Sequence, residues 1–171
     1  MFNSLLPVFD AFLKHSVHYL VVGGTAVSYY GRHRPSITAS GQIAWKHDLD
    51  IWYQPTYTNY YALLKALAEL GKETGRFQEE TAPDPKNSFF CYEFEDYTLD
   101  VIPRLCAKLN FGAAYKERII VRMGENEIPF IALDDLLKDK QALGRPKDLI
   151  DIENLRTNAG TTQQTSQPGI G

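Results

Sequence analysis

The run Asp48-Leu49-Asp50-Ile51-Trp52-Tyr53 constrains this chain more than any other segment. Alternate side chains of a β-strand share a face, so Leu49 and Ile51 turn to a core while Asp48 and Asp50 project together on the other side. Two carboxylates on one strand face repel each other unless a cation lies between them. The segment therefore predicts a half-buried strand whose polar face is a divalent-metal site. Upstream, His18–Val22 reads as a buried strand that breaks at Gly23-Gly24, and Thr25–Tyr30 as a short helix closing near Gly31. A glycine pair at such a junction is either a plain tight turn or a place where backbone N–H groups meet an anion.

With 171 residues and 44% hydrophobic content the chain can bury a core of its own. A net charge of −3 gives no general attraction to nucleic acid or acidic membranes, so an RNA substrate would need a local basic patch. Two cysteines, Cys91 and Cys106, make neither a disulfide framework nor a metal cluster, which points to a reducing, cytoplasmic setting. No apolar run reaches membrane-spanning length, and no membrane association is expected.

Helical spacing of Leu5, Leu6, Phe9, Phe12 and Leu13 predicts an amphipathic helix at the start, and Tyr60, Leu63, Leu64, Leu67 and Leu70 predict a second over Asn59–Leu70. Arg32–Gln42 reads as a loop, and Lys72–Lys86, with Pro83 and Pro85, as a connection. Phe89–Phe94 and Thr98–Ile102 read as strands, and Arg118–Arg122 with Glu127–Ile131 as a hairpin turning at Gly124-Glu125-Asn126. Leu133–Leu143 and Lys147–Leu155 form a C-terminal helical pair. The expected organisation is one domain over residues 1–156. The tail, 157–171, is too poor in apolar residues to order itself.

A third carboxylate, Asp100, projects from the otherwise apolar strand Leu99-Asp100-Val101. Alone it reads as a solvated charge; on a strand beside Asp48 and Asp50 it completes an oxygen set suited to Mg²⁺. Gly23-Gly24-Thr25-Ala26, Arg34-Pro35-Ser36, Asp48-Leu49-Asp50-Ile51 and Leu99-Asp100-Val101, in that order, resemble the signature of the DNA polymerase β-like nucleotidyltransferase superfamily. Within it the chain is most similar to small prokaryotic nucleotidyltransferases related to abortive-infection toxins of type IV toxin–antitoxin systems. Asp135–Asp151, with its lysine-bearing helix and the run Arg145-Pro146-Lys147-Asp148, extends the likeness, which covers most of residues 15–155.

The resemblance implies an α/β (α+β) fold, a mixed sheet flanked by helices. It implies Mg²⁺ on Asp48, Asp50 and Asp100, with Asp100 also helping to deprotonate the acceptor. The glycine turn, Gly23 and Gly24, would meet the nucleoside triphosphate through its backbone or through Thr25. Arg34 and Ser36 join the nucleotide site, and Lys140 or Arg145 neutralises phosphate charge. The activity implied is transfer of a nucleoside monophosphate to a hydroxyl, or to a phosphate, on RNA, a protein or a small molecule. An antitoxin or toxin partner goes with that reading. The alternative from another class is a non-catalytic nucleotide- or partner-binding protein, antitoxin-like, that keeps the fold.

Other residues carry two readings each. His47 falls on the face opposite Asp48 if the strand starts early, and is either a buried or edge histidine or a ligand. Arg32, His33 and Arg34 are either solvated loop charge or a phosphate contact. Lys138 and Lys140, two apart on a helix, cannot share a face, and the resemblance turns Lys140 inward. Arg145, Lys147, Asp148 and Asp151 form either a structural ion-pair set at a helix start or part of the site. Tyr53, Tyr57, Tyr60 and Tyr61 either pack or stack a base.

Overall fold

The computed structural model describes residues 3–31 and 46–163. Six strands form one mixed sheet: β1 (Tyr19–Val22), β2 (His47–Tyr53), β3 (Phe90–Glu93), β4 (Tyr97–Ile102), β5 (Ile119–Met123) and β6 (Asn126–Phe130), in the order β3-β4-β2-β1-β6-β5. β1 and β2 are antiparallel, whereas β2 runs parallel to β4 and β1 parallel to β6. The flanking helices are α1 (Leu6–Lys14), α2 (Gly23–Tyr30), α3 (Tyr57–Glu69), the single turn α4 (Gly75–Gln78), α5 (Phe111–Lys116), α6 (Leu133–Leu143) and α7 (Pro146–Gln163). The expected mixed sheet with flanking helices is what the chain forms.

Alternation in β2 and β4 divides the sheet into two faces. Leu49, Ile51, Leu99 and Val101 are fully buried on the face covered by α1 and α3, where Phe12 meets Tyr19 edge-on at 5.0 Å and Tyr60 lies 6.1 Å from Phe90. α3 starts where Thr56 caps it, its hydroxyl accepting from the Asn59 N–H. The opposite face carries the aspartates. Farther along β2 it becomes apolar at Trp52, which packs edge-on against Phe111 of α5 and donates to the Pro103 carbonyl.

Three elements differ from the sequence expectations. α5 escapes the apolar-period reading because it has six residues; its signal is the Asn110 cap, which accepts from the Ala113 N–H. α4 is one turn inside the expected connection. α7 continues to Gln163, so residues 157–163 of the expected tail are helical. Each residue added to an existing helix gains one backbone bond, and the Thr157 hydroxyl donates back to the Glu153 carbonyl. Among the described residues no helix is long and apolar enough to cross a membrane.

Candidate functional site

Sheet register assembles the acidic residues. Asp50 lies directly beside Asp100, and Asp48 beside Thr98, in the parallel β2–β4 pair. In-register neighbours share a face, so all three carboxylates lie on one side of the sheet. Cys91 of β3 sits opposite Asp100 in turn, giving a row Val22, Asp50, Asp100, Cys91 across four strands. Asp48 is exposed and accepts a 2.7 Å hydrogen bond from the Thr98 hydroxyl.

The glycine turn holds Asp50. Gly23 has φ +59°, a region closed to most side chains, and a Cβ there would overlap the Asp50 carboxylate. The Gly24 N–H donates to Asp50 Oδ2 at 3.2 Å. Thr25, expected on phosphate, is buried, and its one hydroxyl proton goes to the Asp48 carbonyl at 2.9 Å. Gly24 and Thr25 therefore brace the aspartate strand, and the Gly24 N–H and the Thr25 hydroxyl already have partners within the chain.

Burial pushes the Asp50 carboxyl up to about 6; the Gly24 N–H and Lys140 hold it down, and the charges of Asp100 and Asp48 raise it further. Oδ1 of Asp100 is cut off from water and has no hydrogen-bond partner. Beside it, a hydrogen bond with the Asp100 carboxylate, with burial and that carboxylate's charge, pushes the Cys91 thiol up to about 11, so it is a neutral thiol.

Lys140 does point inward: it is 4% exposed, while the Lys138 side chain is 56% exposed and pairs with Asp135. Inside, its ammonium bridges Asp148 and Asp151, both at 3.0 Å. Arg145 closes the cluster with Nε 2.6 Å and Nη2 3.1 Å from the two Asp148 oxygens. The Arg145 N–H also donates to Asp148, which sits three residues on, with Pro146 opening α7 between them. Burial pushes the Asp148 carboxyl up, but the hydrogen bonds from Arg145 and Lys140 outweigh it and hold it at about 2. The structural ion-pair reading thus describes the contacts of Arg145, Asp148 and Asp151. The cluster stays within electrostatic reach of Asp50, whose charge is felt by Lys140 and Arg145 alike.

Arg34 and Ser36, with Arg32 and His33, lie outside the described residues. Tyr53 and Tyr60 are fully buried and pack, whereas Tyr57 and Tyr61 are exposed on α3. Thr98 and Cys91 were not singled out from sequence. Thr98 was findable, because it lies two residues from Asp100 on the same strand face.

The donor set suits a hard divalent cation: carboxylates without competing imidazoles, an orphaned buried oxygen on Asp100, and a half-buried Asp50 crowded by like charge. Among the described residues no three acidic, histidine or cysteine side chains are already gathered into a metal-binding group. No protein-family model matches the chain, and no curated protein matches it either.

Proposed function

We propose that the chain is a Mg²⁺-dependent nucleotidyltransferase that moves a nucleoside monophosphate from a nucleoside triphosphate to an acceptor hydroxyl. One observation carries the reading: Asp50 and Asp100 stand side by side on parallel strands, with Asp48 on the same face and the glycine turn closed on Asp50. Asp48, Asp50 and Asp100 would hold Mg²⁺, which supplies charge neutralisation for the triphosphate and for the departing pyrophosphate. The Asp100 carboxylate is the acceptor for the proton of the attacking hydroxyl. A bond forms between the hydroxyl oxygen and the α-phosphorus, the bond to the β-phosphate oxygen breaks, and pyrophosphate leaves. Asp50 is held for its part by Gly24, and Thr25 fixes the strand beneath Asp48. Lys140 and Arg145, whose charges Asp148 and Asp151 match, lie within electrostatic reach of Asp50. RNA, a protein or a small molecule is the acceptor, in a cytoplasmic setting, with a toxin or antitoxin partner.

A specific observation favours a second reading, a nucleotide- or partner-binding protein without catalysis. The N–H of Gly24 and the hydroxyl of Thr25 are already engaged inside the chain, leaving the turn fewer donors for phosphate. The deciding experiment incubates the protein with Mg²⁺, each α-labelled nucleoside triphosphate, and cellular RNA or protein, alongside Asp48→Ala and Asp100→Asn. Label transferred by the unaltered chain and lost in both variants is the expected result. Saturable nucleotide binding with no transfer to any acceptor would favour the second reading, and equal transfer by both variants would refute the aspartate assignment.

A further inference from the structure

A cleft of about 280 Å³ opens at the far end of β1 from the aspartates. Its lining includes apolar side chains, Phe12 and Leu13 of α1 and Ile120 of β5, and polar ones, Tyr19, Tyr115 and Arg118. Leu13 and Ile120 are 65% and 41% exposed, so an apolar rim stands open to water. The Arg118 guanidinium is fixed in place: its carbon lies 4.0 Å from the Tyr115 ring centroid, and Nη1 donates to the Tyr115 carbonyl at 2.6 Å. Its Nε is sealed from solvent and has no acceptor. That is the reverse of the usual arginine, whose donors face water or a carboxylate. Glu127, also in the lining, is held by Arg122 at 2.9 Å, so Arg118 has no carboxylate partner among the described residues. Tyr19 is buried against Phe12, and burial, with Tyr115 nearby, raises its hydroxyl, which therefore remains a donor.

A fixed guanidinium without a carboxylate partner among the described residues and a neutral hydroxyl donor, in a cleft that also has apolar lining, match a ligand with one anionic end and one greasy end. One unmatched cation answers one negative charge, and Glu127 disfavours a second. The volume is at the small end for ligand pockets, enough for a single ring or a medium acyl chain. We propose that this cleft binds a small monocarboxylate with an apolar body, its carboxylate on Arg118 and Tyr19 and its body against Phe12, Leu13 and Ile120.

The test follows backbone amide shifts of the full chain on titration with 3-phenylpropionate and with octanoate, against 3-phenylpropanamide as the neutral counterpart. Saturable shifts centred on Ser16, Val17, Tyr115 and Arg118 are expected, with the amide at least about tenfold weaker. Arg118→Met should weaken both carboxylates by a similar factor. The acid-against-amide comparison uses the unaltered chain and so stands even if the variant folds poorly. Equal binding of acid and amide, shifts centred elsewhere, or no saturable shift with either acid would overturn the proposal.

Discussion

Replacing Gly23 with alanine tests the glycine turn at the one position where two physical objections coincide. With φ +59° the residue sits in the left-handed region, where a Cβ costs about 1–2 kcal/mol. The new Cβ would overlap Asp50 Oδ2 and lie 2.7 Å from the Asp50 Cβ, so the carboxylate must move. Moving it breaks the hydrogen bond from the Gly24 N–H, a bond to a carboxylate worth about 1.5–3 kcal/mol when fully charged. Some of that is recovered if Asp50 swings toward water, so the expected total is about 2–4 kcal/mol. For a chain of this length that lowers the melting temperature by roughly 4–16 °C. Gly24→Ala is the control: its φ is not left-handed, a Cβ there meets nothing within 4 Å, and its N–H is retained. It should be neutral or stabilising, by about 0.4–1 kcal/mol. Urea denaturation of both variants reads the difference directly. Equal stability of the two, or greater damage from Gly24→Ala, would refute the reasoning that the turn exists to close on Asp50.

Asp50→Asn should stabilise the protein at pH 7 by up to about 3 kcal/mol and have little effect below pH 4. The folded pKa of Asp50 is raised to about 6 from 3.8, so its contribution is fully present below the unfolded value and lost as pH rises through 6. Thermal melts from pH 4 to 8 check the sign, and a variant less stable at pH 7 than at pH 4, relative to the parent, would contradict it. Lys140→Met leaves two buried carboxylates facing each other and should cost about 3–5 kcal/mol, measured by denaturant midpoint; a loss under about 1 kcal/mol would mean that the cluster is open to water. Binding of a nucleoside triphosphate should disappear on addition of EDTA and return with Mg²⁺, followed by equilibrium titration; unchanged affinity in EDTA would count against the metal reading.

Much of this arrangement was legible from local pattern because the deciding interactions are local. Alternation in Asp48–Tyr53 placed two carboxylates on one face without any knowledge of the partner strands, and the same logic placed Asp100. The register that sets Asp50 beside Asp100 is a non-local fact. It depends on two parallel strands separated by α3, α4 and β3, and nothing in either strand alone specifies it. Contacts of the glycine turn were hidden for the same reason. The sequence shows a strand end and a helix start, but not that an aspartate from the next strand already accepts the freed N–H. α5 was missed because six residues carry too little period, although its asparagine cap was visible.

Charge balance decides how a polyanion could reach the acidic face. Of the cations near Asp50, Lys140 and Arg145 are matched one for one by Asp148 and Asp151. At any distance longer than the cluster's own dimensions it therefore presents little net charge, and Asp48, Asp50 and Asp100 dominate the local field. A triphosphate approaching that face meets repulsion from like charge, and Asp50, raised chiefly by burial, is raised further by the charges of Asp100 and Asp48. Two physical routes relieve it: protonation of Asp50, which operates below about pH 6, or a bound divalent cation, which operates at any pH where the carboxylates are ionised. The routes have opposite pH dependence. Nucleotide affinity in the presence of Mg²⁺ should rise from pH 5 to 7 as Asp50 ionises and the cation binds more firmly, whereas affinity supported by protonation alone would fall over the same interval. The direction of that slope separates a metal-dependent nucleotide site from a fold that merely tolerates an anion.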